Sequence, residues 1–257
     1  MRCLLFFLLF CFAPSLRLTS YGAEPRTPAR YNFAVLQALR LMPEGGRYAT
    51  TGMATQLLSS AISASDGRLL VDPAKATPSY CSGATYLVFL GALEQLLREG
   101  VLHLSPQTLS LLEVRGQRDG AGVWGRWNAN GPGTARLFHE LGIGSNFTSY
   151  SEALPGDFMK IFWTPEIGAQ ERGHSVIYLG TETRDGADWV RFWSSNQPLG
   201  YGEKAVPKSK IALALFSRLE TPANLGRLPG LAKLDPYLAS LLKKRSSWAE
   251  LREMCGF

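Results

Sequence analysis

The chain reads as an α+β protein: helices come first, then an antiparallel sheet, then a return to helix. Three observations predict this order. Apolar residues recur at helical spacing through the N-terminal part, most strongly in "CSGATYLVFLGALEQLLR". β-Branched and aromatic residues take over after residue 155, in "GDFMKIFW", "HSVIYLG" and "DWVRFWSSN". Turn residues, not helices, separate these runs, so the strands pair as antiparallel neighbours and the helices are segregated from them.

Taken in order, the chain opens with "MRCLLFFLLFCFAPSLRLTSYGAEP". Arg2 precedes an apolar run broken at Pro14, and Ser20 and Gly22 supply small residues just before a plausible cleavage point. This is the layout of a secretory signal peptide, so residues 1–22 are expected to be one and the mature chain to be secreted or periplasmic. Residues 32–41 and 53–62 each carry apolar residues at helical spacing between Pro or Gly boundaries, which predicts two helices. Residues 82–98 form the strongest predicted helix. Tyr86, Phe89, Leu90, Leu93 and Leu97 lie near one face, with Glu94, Gln95 and Arg98 giving a late polar edge, so this helix belongs in the core.

From 115 to 146 the composition shifts to Gly, Asn and Trp, with one short helical piece at 134–141; such a loop is expected over a cleft. Three strands follow, at 156–163, 174–180 and 188–196. The end, "LDPYLASLLKKRSSWAELREMCGF", starts at an Asp235-Pro236 helix start and predicts a terminal helix with Lys243, Lys244 and Arg245 on a solvated face.

With 257 residues, 46% of them hydrophobic and 19% charged, the chain can bury one good core. The net charge of +6 is spread along the sequence, which argues against nucleic acid as a partner while favouring attraction to anionic cell-wall polymers. No apolar run after the signal is long enough for stable membrane insertion. No HxxxH or CxxC spacing suggests a metal site, and no cofactor is expected.

Removal of the signal leaves Cys81 and Cys255. One reading joins them as a disulfide, which makes the chain a non-catalytic secreted binding module whose Gly/Trp-rich loop does the binding. The other makes Cys81 a nucleophile. If Ser79 caps the helix, Cys81 falls in its first turn, where unpaired N–H groups and the helix dipole stabilise a thiolate. A nucleophile needs a base. His103 follows the central helix and His139 lies in a short amphipathic one, so both read as structural. His174 opens the apolar strand "SVIYLG", where an imidazole at a sheet end could face a thiol on a packed helix.

These residues resemble a family. "CSG" at Cys81-Ser82-Gly83, "PGD" at Pro155-Gly156-Asp157 and "GHSVIYLG" from Gly173 to Gly180 occur in the order seen in the NlpC/P60 group of papain-like cysteine peptidases and the related CHAP amidases. The resemblance covers roughly residues 79–196. It implies a papain-like fold with Cys at a helix N-terminus and His on the adjoining sheet, and hydrolysis of amide bonds in bacterial cell-wall (peptidoglycan) peptides. The corresponding organisation is an N-terminal helical lead-in at 23–47, an NlpC/P60-like catalytic domain at 48–222 and a C-terminal helical extension at 223–257. Two departures stand out: Tyr80 occupies the position where the family commonly has Asp, and the Gly/Trp-rich insert exceeds a minimal member. Tyr80, Ser82, Trp124, Trp127, Asn128 and Asn130 are candidates to line the substrate groove.

The resemblance also implies a third residue, His, Asn or Gln, on the strand after His174, accepting from its second ring nitrogen. Which residue faces His174 depends on the hairpin turn. A two-residue Asp185-Gly186 turn places Gln197 opposite, whereas a three-residue Arg184-Asp185-Gly186 loop with a bulge places Asn196 there. The bulged loop and Asn196 are preferred, because Pro198 ends the strand just beyond; Gln197 and Ser195 stay open as alternatives. A transglutaminase-like thiol acyltransferase, with Asp185 or Asp188 as the acid, is a further reading.

Overall fold

The computed structural model describes residues 29–257; the predicted signal peptide and the first residues of the lead-in lie outside the described residues. The N-terminal part holds α1 (Asn32–Arg40), β1 (Gly45–Gly46), α2 (Gly52–Ser60), β2 (Ile62–Ser65), β3 (Arg68–Val71) and α3 (Cys81–Arg98). Three short helices follow, α4 (Pro106–Ser110), α5 (Gly122–Trp127) and α6 (Gly133–Leu141). The strands are β4 (Gly144–Phe147), β5 (Phe158–Phe162), β6 (Ile167–Gly168), β7 (Gly173–Arg184), β8 (Ala187–Asn196), β9 (Gly200–Pro207) and β10 (Leu213–Leu219). The chain ends with α7 (Pro236–Ser240), β11 (Arg245–Ser246) and α8 (Trp248–Cys255). The class is mixed α+β, as the segregation of patterns predicts.

Seven strands form one antiparallel sheet in the order β1-β9-β8-β7-β5-β10-β4. The period of two in the sequence decides what each face buries. Phe158, Ile177 and Trp193 point into the main core beneath α3, while Met159, Val176, Tyr178 and Phe192 fill a second cluster on the opposite face. α3 is more deeply set than an amphipathic stripe requires. From Ser82 to Leu90 every residue is buried, so its first half is a core helix and only its last turns reach solvent.

Several expectations are corrected. The 115–146 segment is not an open loop: besides α6, which matches the short helix expected at 134–141, it forms α5, and Trp124 and Trp127 are only 2% exposed. The terminal helix is divided, because residues 241–244 form a turn and β11 pairs with β6. Lys243, Lys244 and Arg245 therefore do not sit on a helix face. The "PGD" motif is structural: the fully buried Asp157 carboxylate accepts from Asn32 Nδ2 (2.8 Å), Leu154 N (2.7 Å) and both Arg218 Nε (2.8 Å) and Nη2 (2.6 Å). Among the described residues no helix is long and apolar enough to cross a membrane.

Candidate active site

Cys81 is the first residue of α3, and it lies there for a reason other than the one expected. Ser79 does not cap the helix. The N-cap is Tyr80, in extended conformation and with no side-chain cap bond, while Ser79 Oγ donates to Ser195 Oγ on β8 at 2.8 Å. This bond ties the helix start to the sheet. The first-turn N–H groups are left without a side-chain cap, next to the sulfur.

His174 comes from β7, where it pairs with Ile161 of β5. Its ring packs between Trp163, near-parallel at 6.3 Å between centroids, and the edge of Phe192 at 5.8 Å. The third residue is Asn196, the last of β8. Its Nδ2 donates to the backbone oxygens of Ser194 (3.1 Å) and Gly202 (2.8 Å), so both amide hydrogens are engaged and Oδ1 must be the atom that faces His174. That oxygen lies 3.2 Å from His174 Nε2. Because Oδ1 can only accept, Nε2 carries hydrogen, which leaves Nδ1 as the basic nitrogen available to the thiol.

The hairpin reaches this register by a different route from the one expected. The turn has two residues, Asp185 and Gly186, both with positive φ (+48° and +76°), and Arg184 pairs with Ala187. Continued unbroken, that pairing would bring Gln197 opposite His174. Instead a bulge at Leu179 shifts the ladder between Gly180 and Tyr178, so that Tyr178 pairs with Phe192. Gln197 is exposed at the cavity rim, and Ser195 is consumed by Ser79.

The sulfur is held as an acid stronger than an ordinary thiol. Burial alone pushes the Cys81 pKa up, but a hydrogen bond with His174, the charge of that ring, the Ser175 backbone N–H and the nearby Lys160 ammonium outweigh it and bring it down to about 6. Tyr48, which no pattern in the sequence singles out, also touches the thiol. Its hydroxyl is within hydrogen-bond reach of both the sulfur and the Cys81 backbone N–H, and burial together with the thiolate's charge pushes its pKa up. The phenol therefore stays protonated and able to donate.

Two cavities flank this centre, of about 480 and 370 Å³, and Tyr48, Glu171 and Gly173 line both. Tyr80, Ser82, Asn128 and Asn130 lie together beside Cys81 in the smaller one. Three of these side chains are already engaged there: Ser82 Oγ donates to Asn128 Oδ1 at 2.6 Å, and Tyr80 shares a hydrogen bond with Thr55. Trp124 and Trp127 do not line the groove; their rings pack on Tyr86 of α3 at 5.2 and 5.3 Å, and Trp127 Nε1 donates to Thr85. Residues missed by sequence reasoning are Tyr48, Asp119, Lys160, Trp163 and Glu171. Trp163 alone had a signal: once the strands of "GDFMKIFW" and "GHSVIYLG" are paired, the last residue of the first falls beside His174.

Cys255 is a free thiol and so is Cys81. The former is buried under Ala135, Phe162, Ile167 and Leu215, and no bridge joins the two. Asp185 and Asp188, the acids of a transglutaminase-type arrangement, lie at the tip of the hairpin, at the opposite end of β8 from Asn196. No group of three or more His, Cys, Asp or Glu among the described residues is arranged to hold a metal ion. Comparison with protein-family models, with curated proteins and with solved structures finds no significant match, so the chemistry of the site is read from its own residues.

Proposed function

We propose that the chain is a secreted thiol amidase or peptidase of papain-like type, similar to the NlpC/P60 and CHAP enzymes, acting on amide bonds of cell-wall peptides. The observation that carries this reading is the alignment of Cys81, His174 and Asn196, in which the Asn196 amide fixes the His174 tautomer and so presents a basic Nδ1 to an acidified thiol. A half-cystine or a packing cysteine has no need of such an arrangement.

The steps follow from the geometry. His174 Nδ1 takes the thiol proton, and the Cys81 sulfur attacks the amide carbonyl carbon. The developing oxyanion is met by the Cys81 N–H and the Tyr48 hydroxyl, the two donors already beside the sulfur. The C–N bond breaks as Nδ1–H protonates the leaving amine, giving a thioester. Water, deprotonated by the same nitrogen, then releases the acid and regenerates the thiol. Asn196 accepts from Nε2–H throughout and stabilises the imidazolium between steps.

The test is hydrolysis of peptidoglycan-derived peptides followed by mass spectrometry. Cys81→Ala abolishes cleavage while the Tm stays nearly unchanged. Tyr48→Phe lowers kcat by about 10²–10³ with little change in KM, the size of one lost oxyanion donor. Retained cleavage in Cys81→Ala would end the proposal.

A further inference from the structure

The two flanks of the cleft carry opposite and unequal charge. On the Ser82 side, Glu171 is 4% exposed and fully engaged: one oxygen receives Lys160 Nζ at 2.7 Å, and the other receives the N–H groups of Gly131 (2.6 Å) and Gly168 (2.8 Å). Asp119 is different. Its Oδ2 accepts only the Asn130 N–H at 3.3 Å, and the Lys160 ammonium, which acts on it from across the same cavity, is bonded to Glu171 instead. This carboxylate faces the cavity of about 370 Å³ that Cys81 also lines. Burial, with the Glu171 charge beside it, makes this carboxyl harder to ionise than an ordinary Asp, and a cation seated against it would favour the charged form, as Lys160 does from a distance. The loop that presents it is held fast: the fully buried Arg126 donates from Nη1 to the oxygens of Gly120 and Gly122, each at 3.0 Å, and Gly120 N donates to Gly125 O at 2.8 Å.

Beyond His174 the charge reverses. The cavity of about 480 Å³ is lined by Arg172 and Lys204, neither ion-paired among the described residues, and by the edge of Glu171, whose charge is already met by Lys160. Glu203, next to Lys204, is taken by Arg191 at 3.1 Å. Arg172 is fixed at the backbone, where Trp163 N donates to its oxygen at 2.8 Å, one residue before the strand position that leads to His174.

We propose that the cleft selects its substrate by charge on both sides of the reacting bond, placing a cationic group such as an ammonium against Asp119 and a carboxylate between Arg172 and Lys204. The substrate class is then a short zwitterionic peptide in one orientation. The reversed orientation puts like charges together and is rejected. The location of the scissile bond rests on the amide-hydrolase reading; the charge map does not.

The experiment measures alkylation of Cys81 by three chloroacetamides, one neutral, one with an ammonium arm and one with a carboxylate arm, each rate divided by that of the neutral probe. In the native chain each charged arm is favoured about fivefold, the value of a partly exposed ion pair. Asp119→Asn, which keeps the acceptor for Asn130, removes only the ammonium preference. The double variant Arg172→Gln/Lys204→Gln removes only the carboxylate preference. Equal rates in the native chain, or loss of both preferences on either change, overturn the proposal. Hydrolysis assays separate it from the parent reading. A chain that shows the charge map but cleaves no amide defeats the hydrolase alone, and one that cleaves neutral and zwitterionic amides equally defeats the charge selection alone.

Discussion

At the scale of single residues, the unusual feature of Cys81 is that burial and its neighbours pull its acidity in opposite directions, and the neighbours win. Burial favours the neutral thiol; the hydrogen bond and charge of His174, with Lys160 behind them, bring the pKa from an ordinary 9.0 to about 6. Alkylation needs the thiolate, so its rate by a neutral haloacetamide rises with pH through a midpoint near 6. His174→Ala leaves burial largely unopposed and moves that midpoint above 9. A native midpoint at 9 or higher would mean that His174 and Cys81 do not act as a pair. Much of this was legible in the sequence: a Cys at the start of an apolar helix and a His opening a strand are each visible locally. The turn expected before Asn196 is not the one formed, because the shift comes from a bulge at Leu179, whose one sequence mark is Gly180, a glycine with positive φ inside the strand. Tyr48 was invisible, since it meets Cys81 only through its bridge to Ser79, which joins two segments of no shared pattern.

At the scale of elements, the Gly/Trp-rich segment shows where composition misleads. Glycine and asparagine suggested an exposed loop, and α5 is too short for a helical period to register. Its indoles are what the segment is for: Trp127 lies 4.8 Å from Phe89 of α3, and also packs on Tyr86, Phe138 and Phe158. α5 thus holds up the helix that carries Cys81. Trp127→Ala is expected to cost about 3–5 kcal/mol by denaturant unfolding, as for other large aromatic truncations in a core. With substrate in hand, KM of the folded variant changes less than twofold. A large rise in KM with stability intact would restore Trp127 to the groove. The central helix, by contrast, was read nearly to the residue, because its eighteen positions present an apolar pattern long enough to be unmistakable.

At the scale of the whole molecule, the titratable groups that folding buries set how stability responds to pH. Cys255 is sealed beneath α6 and β5, and burial pushes its thiol up to about 12; burial likewise pushes Tyr201 up to about 12 and raises Tyr48, Tyr150 and Tyr237. For each, the folded pKa lies above the unfolded one. Their contribution is complete below the unfolded value and is lost as pH rises towards the folded value, because only the unfolded chain releases the proton. Cys81 acts in the opposite sense: its folded pKa is depressed, so its contribution is present above the unfolded value near 9 and is lost as pH falls towards 6. Stability should therefore fall above about pH 9, first through Cys255 and then through the tyrosines, by about 1.4 kcal/mol per pH unit for each group that has ionised only in the unfolded chain. Thermal melts of the native chain and of Cys255→Ala between pH 7 and 11 test this. The variant melts lower throughout because it loses packing, but its alkaline decline begins about one pH unit later, where the tyrosines start to ionise. Parallel curves for the two proteins would show that Cys255 is not the sealed thiol that the packing of α8 against α6 makes it.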